Sequence, residues 1–146
     1  MLKNFKVIKN LFKSPRLLPD PVNWKFIVKK ANTNNYYIHM MAFIESPWRL
    51  YAQASSEDDP FPTIIRFEGN PFVSFIGRPR EIGNVKETYE ETYSTITHFY
   101  TIAVDFVQEV EILTKSELVK GKVTYMECNG IIGNNLKEIV FQVELN

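Results

Sequence analysis

The chain has 146 residues, of which 45% are hydrophobic, 14% aromatic and 23% charged, and its formal net charge at pH 7 is zero. This length and composition predict one globular domain around a single core and exclude a disordered chain, and the balanced charge gives no indication of nucleic-acid binding. One cysteine excludes an internal disulfide, and the two histidines, His39 and His98, lack zinc-site spacing, so we expect no structural metal and no cofactor.

The first 20 residues form a basic arm with five cationic side chains against one carboxylate, Asp20. Its apolar residues recur at helical spacing, as Leu2, Phe5, Ile8 and Phe12, which suits a short amphipathic helix on an anionic membrane surface. The alternative is a frayed leader or a surface helix packed on the body, because so short a helix is marginal alone. No apolar run there has the length of a secretory signal or of a membrane span.

From Pro21 onward, apolar and polar residues alternate, which predicts β-strands separated by turns. The segment from Arg78 to Thr95 is charged and has no clear period, so we expect a long loop or an irregular edge there. The predicted strands are "VNWKFIVKK" (22–30), "YYIHMMAFIE" (36–45), "WRLYAQ" (48–53), "TIIRFE" (63–68), "FVSFIG" (72–77), "TIAVDFVQEVEI" (101–112), "ELVKGKVTYMEC" (117–128) and "KEIVFQVEL" (137–145).

Seven or eight short strands without a convincing helix predict an all-β body, best described as a two-sheet antiparallel sandwich, with a barrel as the second choice. In the strand over 101–112, the residues expected to face inward are Ile102, Val104, Phe106, Val110 and Ile112. No repeat or low-complexity tract divides the body, so we expect one domain over residues 21–146.

Several segments occur in an order that resembles a known family. They are "PVNWKF", "PWRLYAQ", "PTIIRFEGNP", "GRPREIGNVKETYEETYSTITHFY" and "VTYMEC". Together they resemble the immunoglobulin-like N-terminal domain of the DsbD thiol:disulfide interchange proteins, and most of all the small separate versions of Bacteroidetes-type bacteria. The resemblance covers about residues 21–146 and implies an immunoglobulin-like β-sandwich in the periplasm or cell envelope, although the absence of a visible signal peptide leaves the cytoplasm open.

The resemblance also implies that Cys128 stands at the position of the family's first redox cysteine. The second cysteine would be due near Gly133 or Asn134, where this sequence has none. Dithiol exchange needs an attacking thiolate and a resolving thiol on one scaffold. Cys128 alone can form a mixed disulfide with a partner, but it cannot store two electrons as an internal disulfide.

The residues around Cys128 do not favour a reactive thiol. A carboxylate at Glu127 would oppose thiolate formation, whereas a hairpin could bring Lys137 across to favour it. One reading makes Cys128 a small, partly buried apolar residue at a strand end. The other makes it a thiol for exchange between chains, and it is our only candidate catalytic residue.

Aromatic residues in the predicted loops are candidates for contact with a partner. The resemblance implies a cap loop over the cysteine, and "DDPFP" around Phe61 is best placed for that role. We therefore predict a partner-binding patch of Phe61, Tyr89, Tyr93 and Cys128. The acidic run over 57–59 lacks the alternate oxygen ligands of a calcium loop and is interpreted as solvated surface.

Three functions remain open. The preferred one is a redox-inactive DsbD N-terminal-like domain that binds another protein, such as a thioredoxin-like or membrane redox protein. The second is a thiol:disulfide interchange partner that uses Cys128 in mixed disulfides, and the third is a structural accessory domain. We do not expect the domain to be an enzyme by itself, because the sequence has no complete set of catalytic residues.

Overall fold

The computed structural model describes residues 2–3, 20–129 and 135–146, which form an antiparallel β-sandwich and confirm the predicted all-β, immunoglobulin-like class. A short 3-10 turn spans Glu91–Tyr93. The strands are β1 (Leu2–Lys3), β2 (Val22–Lys30), β3 (Asn35–Ile44), β4 (Arg49–Tyr51), β5 (Ile64–Phe67), β6 (Val73–Ile82), β7 (Lys86–Glu90), β8 (Thr95–Tyr100), β9 (Ala103–Ile112), β10 (Glu117–Cys128) and β11 (Asn135–Leu145).

Two sheets make up the sandwich. The first has the strand order β1-β2-β3-β9-β6, and the second has the order β11-β10-β4-β8-β7. Strands β4 and β5 both pair with β10, β4 near its end at Cys128 and β5 near its middle at Val123. The long strand β10 therefore fixes the position of β4, which carries part of the candidate site.

The core lies between the sheets and follows from the alternation in the sequence, because every second residue of a strand points to the same face. Aromatic rings join the two layers: Phe26 stacks on Phe141 with ring centroids 4.3 Å apart, and Trp24 lies 5.3 Å from Tyr125. Buried aromatic side chains remove a large apolar area from water, so these contacts hold the sheets face to face.

The segment over 78–95 is not a long loop but an irregular edge, which was the other alternative predicted for it. Strand β6 continues to Ile82, and β7 and β8 form a hairpin in which Tyr89 pairs with Ile96. The sequence shows no clear period in this segment because β6 and β7 are edge strands. Their residues are exposed or only partly buried on both faces over most of this region, so the alternation that marks a strand is missing.

Ile102 does not face inward as predicted. Strand β9 begins one residue later, at Ala103, and Ile102 is 78% exposed in the turn after β8. The other four residues expected to face inward, Val104, Phe106, Val110 and Ile112, are buried.

The basic arm is described only at its start, where Leu2 and Lys3 pair with Lys29 and Val28 of β2. Residues 4–19, on which the predicted amphipathic helix falls, lie outside the described residues. Within the part of the chain that the structure describes, no helix is long and apolar enough to cross a membrane.

Candidate functional site

Cys128 is the last residue of β10 and lies beside Arg49 of β4 in the sheet register. Its side chain is 5% exposed. The sulfur lies on the outer face of the second sheet, because the preceding pair in the register, Glu127 and Leu50, is buried, with Leu50 in the core between the sheets. The side chains that bury the Cys128 sulfur therefore lie on this outer face and are not part of the core between the sheets.

The two charges that the sequence suggested near the thiol lie elsewhere. Glu127 is fully buried on the opposite face of the strand, so its carboxylate does not adjoin the sulfur. Lys137 pairs with Tyr125 in the register, and its Nζ lies 4.0 Å from Oδ1 of Asp20. Neither the Glu127 carboxylate, predicted to oppose thiolate formation, nor the Lys137 ammonium, predicted to favour it, is next to the Cys128 sulfur.

Arg49 is the cation that does lie beside Cys128. Its guanidinium lies over the ring of Phe99, 4.8 Å from the centroid, and its Nη2 is 3.7 Å from Oε1 of Glu90. Burial acts to lower the pKa of Arg49, but a hydrogen bond to Cys128 and the nearby Glu90 carboxylate outweigh it and raise the pKa. A permanent positive charge is thus held next to the sulfur.

The hydroxyl of Tyr51 donates a hydrogen bond to Sγ of Cys128, with the two atoms 3.8 Å apart. Burial, together with this hydrogen bond, raises the pKa of Tyr51 far above its usual range. The phenol therefore keeps its proton at neutral pH and remains a donor to the sulfur.

An aromatic cluster of Tyr51, Phe61 and Tyr93 extends from the sulfur to the surface. The ring centroids of Tyr51 and Phe61 are 5.8 Å apart, and the rings of Phe61 and Tyr93 meet edge to face at 5.3 Å. Tyr93 is 49% exposed. The cluster thus connects the buried thiol to solvent through three rings in sequence.

The loop that carries Phe61, residues 52–63, is closed at its base and held internally by hydrogen bonds. Thr63 donates from Oγ1 to the carbonyl of Tyr51 at 2.6 Å. The carboxylate of Asp59 accepts hydrogen bonds from the backbone N–H and the hydroxyl of Ser55, at 2.6 and 3.1 Å. Asp59 therefore holds the loop in its conformation. Among the described residues, no group of His, Cys, Asp and Glu side chains is suited to binding a metal ion.

The structure brings together three of the four residues of the predicted patch, namely Phe61, Tyr93 and Cys128. It does not bring Tyr89 to them. Glu90 faces Arg49, and neighbouring residues of a strand point to opposite faces, so Tyr89 points away and is 59% exposed beside Ile96.

Sequence reasoning did not assign Arg49 or Glu90 to the site. One usable signal was the spacing in "WRLY", because Arg49 and Tyr51 are two residues apart and share a strand face. Glu90 gave no such signal, since its strand was not predicted.

No protein-family profile matches the sequence, and the comparison with curated proteins gives no match. Among solved structures, the fold is similar to the crystal structure of the N-terminal periplasmic domain of ScsB from Proteus mirabilis, with a TM-score of 0.60 and 13% sequence identity. The match covers 92% of this chain and 50% of that chain, so this chain spans about half the length of the ScsB domain. At this identity the similarity concerns the fold alone, and it agrees with the predicted immunoglobulin-like β-sandwich.

Proposed function

We propose that this chain is a DsbD N-terminal-like domain of the bacterial cell envelope that binds another protein through Phe61 and Tyr93 and carries no redox disulfide of its own. The observation that carries the proposal is the run of contacts from Cys128 through Tyr51 and Phe61 to the half-exposed Tyr93. Phe61, partly buried on its anchored loop, and Tyr93, half-exposed in the 3-10 turn, would give a partner a large aromatic contact area at little cost in conformational entropy.

The charge around the cluster favours a basic partner. Glu57 and Asp58 are exposed on the loop of Phe61, and Glu91 is exposed two residues before Tyr93. The nearby cation, Arg49, is already engaged by Glu90. A partner that has Lys or Arg side chains around an apolar pocket for the Phe61 and Tyr93 rings would fit this surface. Salt would weaken its association by screening the charges.

The envelope location rests on the resemblance and on the similarity to a periplasmic domain. The division of the chain into a basic arm, residues 1–20, and a sandwich domain, residues 21–146, is part of the same proposal. The redox-inactive role rests on the sequence, which has one cysteine and therefore no resolving thiol.

The test is retention of envelope proteins on the immobilised domain, measured by quantitative mass spectrometry. We compare the wild type with Phe61→Ala, with Cys128→Ala and with Phe72→Ala, in which an exposed phenylalanine outside the cluster is removed. The proteins held by the wild type should remain on Cys128→Ala and Phe72→Ala and be lost from Phe61→Ala. Equal retention by Phe61→Ala, or loss on Cys128→Ala alone, would contradict the proposal.

A mixed-disulfide role for Cys128 is the second candidate, and the guanidinium of Arg49 beside the sulfur is the observation in its favour, because a cation stabilises a thiolate. The probe is a thioredoxin whose resolving cysteine is replaced by serine and whose remaining cysteine carries thionitrobenzoate. Attack by the Cys128 thiolate would join the two proteins by a disulfide and release the coloured thionitrobenzoate anion. Release no faster than with Cys128→Ala would exclude this role.

A further inference from the structure

Strand β11 forms an open edge of the second sheet, on the side of β10 away from β4 and the Cys128 site. Among the described strands it pairs with β10 alone, in a register that runs without a break from Asn135 to Leu145. A strand edge presents unpaired N–H and C=O groups, which can pair with another extended chain. The edge therefore offers a row of backbone hydrogen-bond groups to another molecule.

The hydrogen bonds of β10 show which backbone groups of β11 point outward. The carbonyl of Lys120 accepts from the N–H of Glu68 at 2.8 Å, on the side of β10 where β5 lies. In an antiparallel pair, alternate residues direct both of their backbone groups to the same neighbour. Gln142, which lies opposite Lys120, therefore turns its N–H and C=O away from β10. The other outward-facing residues of β11 follow at every second position, as Leu136, Glu138, Val140 and Glu144.

This edge lacks the protection that the edges at β2, β6 and β7 have. Strand β6 has a proline and an irregular register, β7 has charged residues, and β2 has three lysines and is partly paired with β1. Residues 139–145 of β11, "IVFQVEL", contain no proline, glycine or lysine and have a regular register. Natural proteins protect exposed edges by those means, so the edge of β11 favours pairing with another strand.

We propose that two copies of this chain pair through β11 as antiparallel strands related by a two-fold axis, with Val140 of one copy opposite Val140 of the other. The whole of β11 then overlaps, because Asn135 meets Leu145. Residues on the same face meet across the contact, so Ile139 lies opposite Phe141. The outward-facing groups of both copies form about ten hydrogen bonds, as many as in a typical protein interface.

The charged residues of β11 fit a second copy in this register. Glu138 lies opposite Gln142 of the other copy, whose side-chain amide can donate to a carboxylate. Glu138 is also paired with Lys122 of β10 in its own chain, with 3.7 Å between the carboxylate and Nζ. Glu144 lies opposite Leu136. No carboxylate of one copy therefore faces a carboxylate of the other.

The alternatives are less well matched to this edge. A two-fold axis one residue later, at Phe141, would set Glu138 opposite Glu144, and like charges directly opposite destabilise a strand pair. A charged partner strand would find little to recognise, because residues 139–145 carry a single charge, that of Glu144. Charge therefore favours a second copy, in the register centred on Val140.

The test is sedimentation of the full chain between about 10 µM and about 1 mM, with Gln142→Pro as the variant and Gln142→Thr as the matched control. Proline removes an N–H that points away from β10, and edge strands tolerate proline at such positions. Threonine keeps the N–H and suits a strand. The wild type and Gln142→Thr should dimerise with a dissociation constant on the order of 100 µM, and Gln142→Pro should bind itself at least tenfold more weakly.

A second variant, Val140→Lys, tests the register without a change to the backbone. Val140 is partly buried and faces its own copy across the axis, so this variant would set two ammonium groups against each other. The control is Leu113→Lys, which adds the same charge at an exposed residue after the end of β9, in the first sheet. Val140→Lys should weaken the dimer at least tenfold, whereas Leu113→Lys should leave it unchanged.

Amide hydrogen exchange of the wild type identifies the strand that pairs. The N–H groups of Val140 and Gln142 should exchange more slowly at high than at low protein concentration, whereas that of Phe141, which is bonded to β10, should be protected at both. The proposal is overturned if the wild type stays monomeric at the highest concentration, if either Gln142→Pro or Val140→Lys dimerises as the wild type does, or if exchange at Val140 and Gln142 does not slow as the dimer forms.

Discussion

At the scale of single residues, the environment of Cys128 determines what its thiol can do. The sulfur is buried, accepts a hydrogen bond from Tyr51 and lies beside Arg49. A neighbouring cation favours a thiolate, but a reagent or partner must reach the sulfur before it can react. The Phe61 ring packs on the ring of Tyr51, and the hydroxyl of Tyr51 contacts the sulfur. Tyr51 and Phe61 together form a covering layer over Cys128.

We predict that native Cys128 reacts with a thiol reagent such as dithionitrobenzoate far more slowly than the unfolded chain does. Removal of the Phe61 ring in Phe61→Ala should raise the native rate by about 10-fold, because the covering layer opens more readily. The control is Phe72→Ala, which removes a ring outside the cluster and should leave the rate unchanged. Equal rates for the native and unfolded wild type would show that the thiol is not covered.

At the scale of strands, one edge of each sheet, formed by β6 in the first and by β7 in the second, is poorly suited to pairing with another chain. Strand β6 contains Pro79 and an irregular register between Ile76 and Arg80, and the short β7 carries Lys86 and Glu87 on its exposed edge. Charges, proline and bulges are the usual protections of an edge strand. Addition of a partner strand to these two edges is therefore disfavoured.

The β6 irregularity depends on Gly77, whose φ is +68°. The side chain of Gln108 donates hydrogen bonds to the carbonyls of Ile76 and Gly77, both at 3.2 Å, so the distorted backbone is paired. These hydrogen bonds explain why Gln108 can be buried on the same strand face as Phe106 and Val110.

We predict that Gly77→Ala lowers the free energy of unfolding by about 1 kcal/mol, because alanine is strained at positive φ. Nothing lies within 4 Å of the added methyl group, so the cost comes from the backbone and not from a clash. Gly69→Ala is the matched control, since its methyl group also meets nothing and its φ lies outside the left-handed region. Urea denaturation should show no loss for Gly69→Ala, and equal losses in both variants would contradict this explanation.

At the scale of the whole molecule, a polar contact links the two sheets beside the apolar core. The hydroxyl of Tyr100, in the second sheet, donates to Oε1 of Glu81, in the first, at 2.6 Å. The other oxygen of Glu81 accepts from the backbone and side-chain N–H groups of Gln53, at 2.8 and 3.1 Å. Burial first, and then the Glu81 carboxylate, raise the pKa of Tyr100 far above its usual range.

This pKa shift predicts loss of stability at alkaline pH. Below about pH 10 the phenol is protonated in both the folded and the unfolded chain, so its contribution is constant. Above that pH the unfolded chain loses a proton that the folded chain retains, so the free energy of unfolding falls as pH rises. Tyr100→Phe should flatten this fall and, at neutral pH, lower stability by about 1 to 3 kcal/mol through loss of the hydrogen bond.

The measurement is the urea midpoint at about pH 9 and about pH 11. Tyr89→Phe is the control, because the Tyr89 side chain is exposed. A Tyr100→Phe variant whose midpoint falls with pH as steeply as that of the wild type would refute the role assigned to this contact.

The agreement between sequence and structure varies with the environment of each element. Strand β10 matches its predicted bounds, Glu117–Cys128, because one face of it is buried and the alternation is clear. Strand β7 was not predicted as a regular strand, because its residues are exposed or only partly buried on both faces. Ile102 was misplaced because an apolar residue at a strand end looks the same in sequence whether it is buried or exposed.

The sequence by itself determined the all-β class, the strands of the core and the limit of one thiol, because these depend on local alternation and on which residue types are present. Only the tertiary structure decided that Arg49 and not Lys137 lies beside Cys128 and that Phe61 meets Tyr93 while Tyr89 points away. These contacts join residues far apart in the chain, and their geometry follows from sheet register and strand order, which periodicity does not encode.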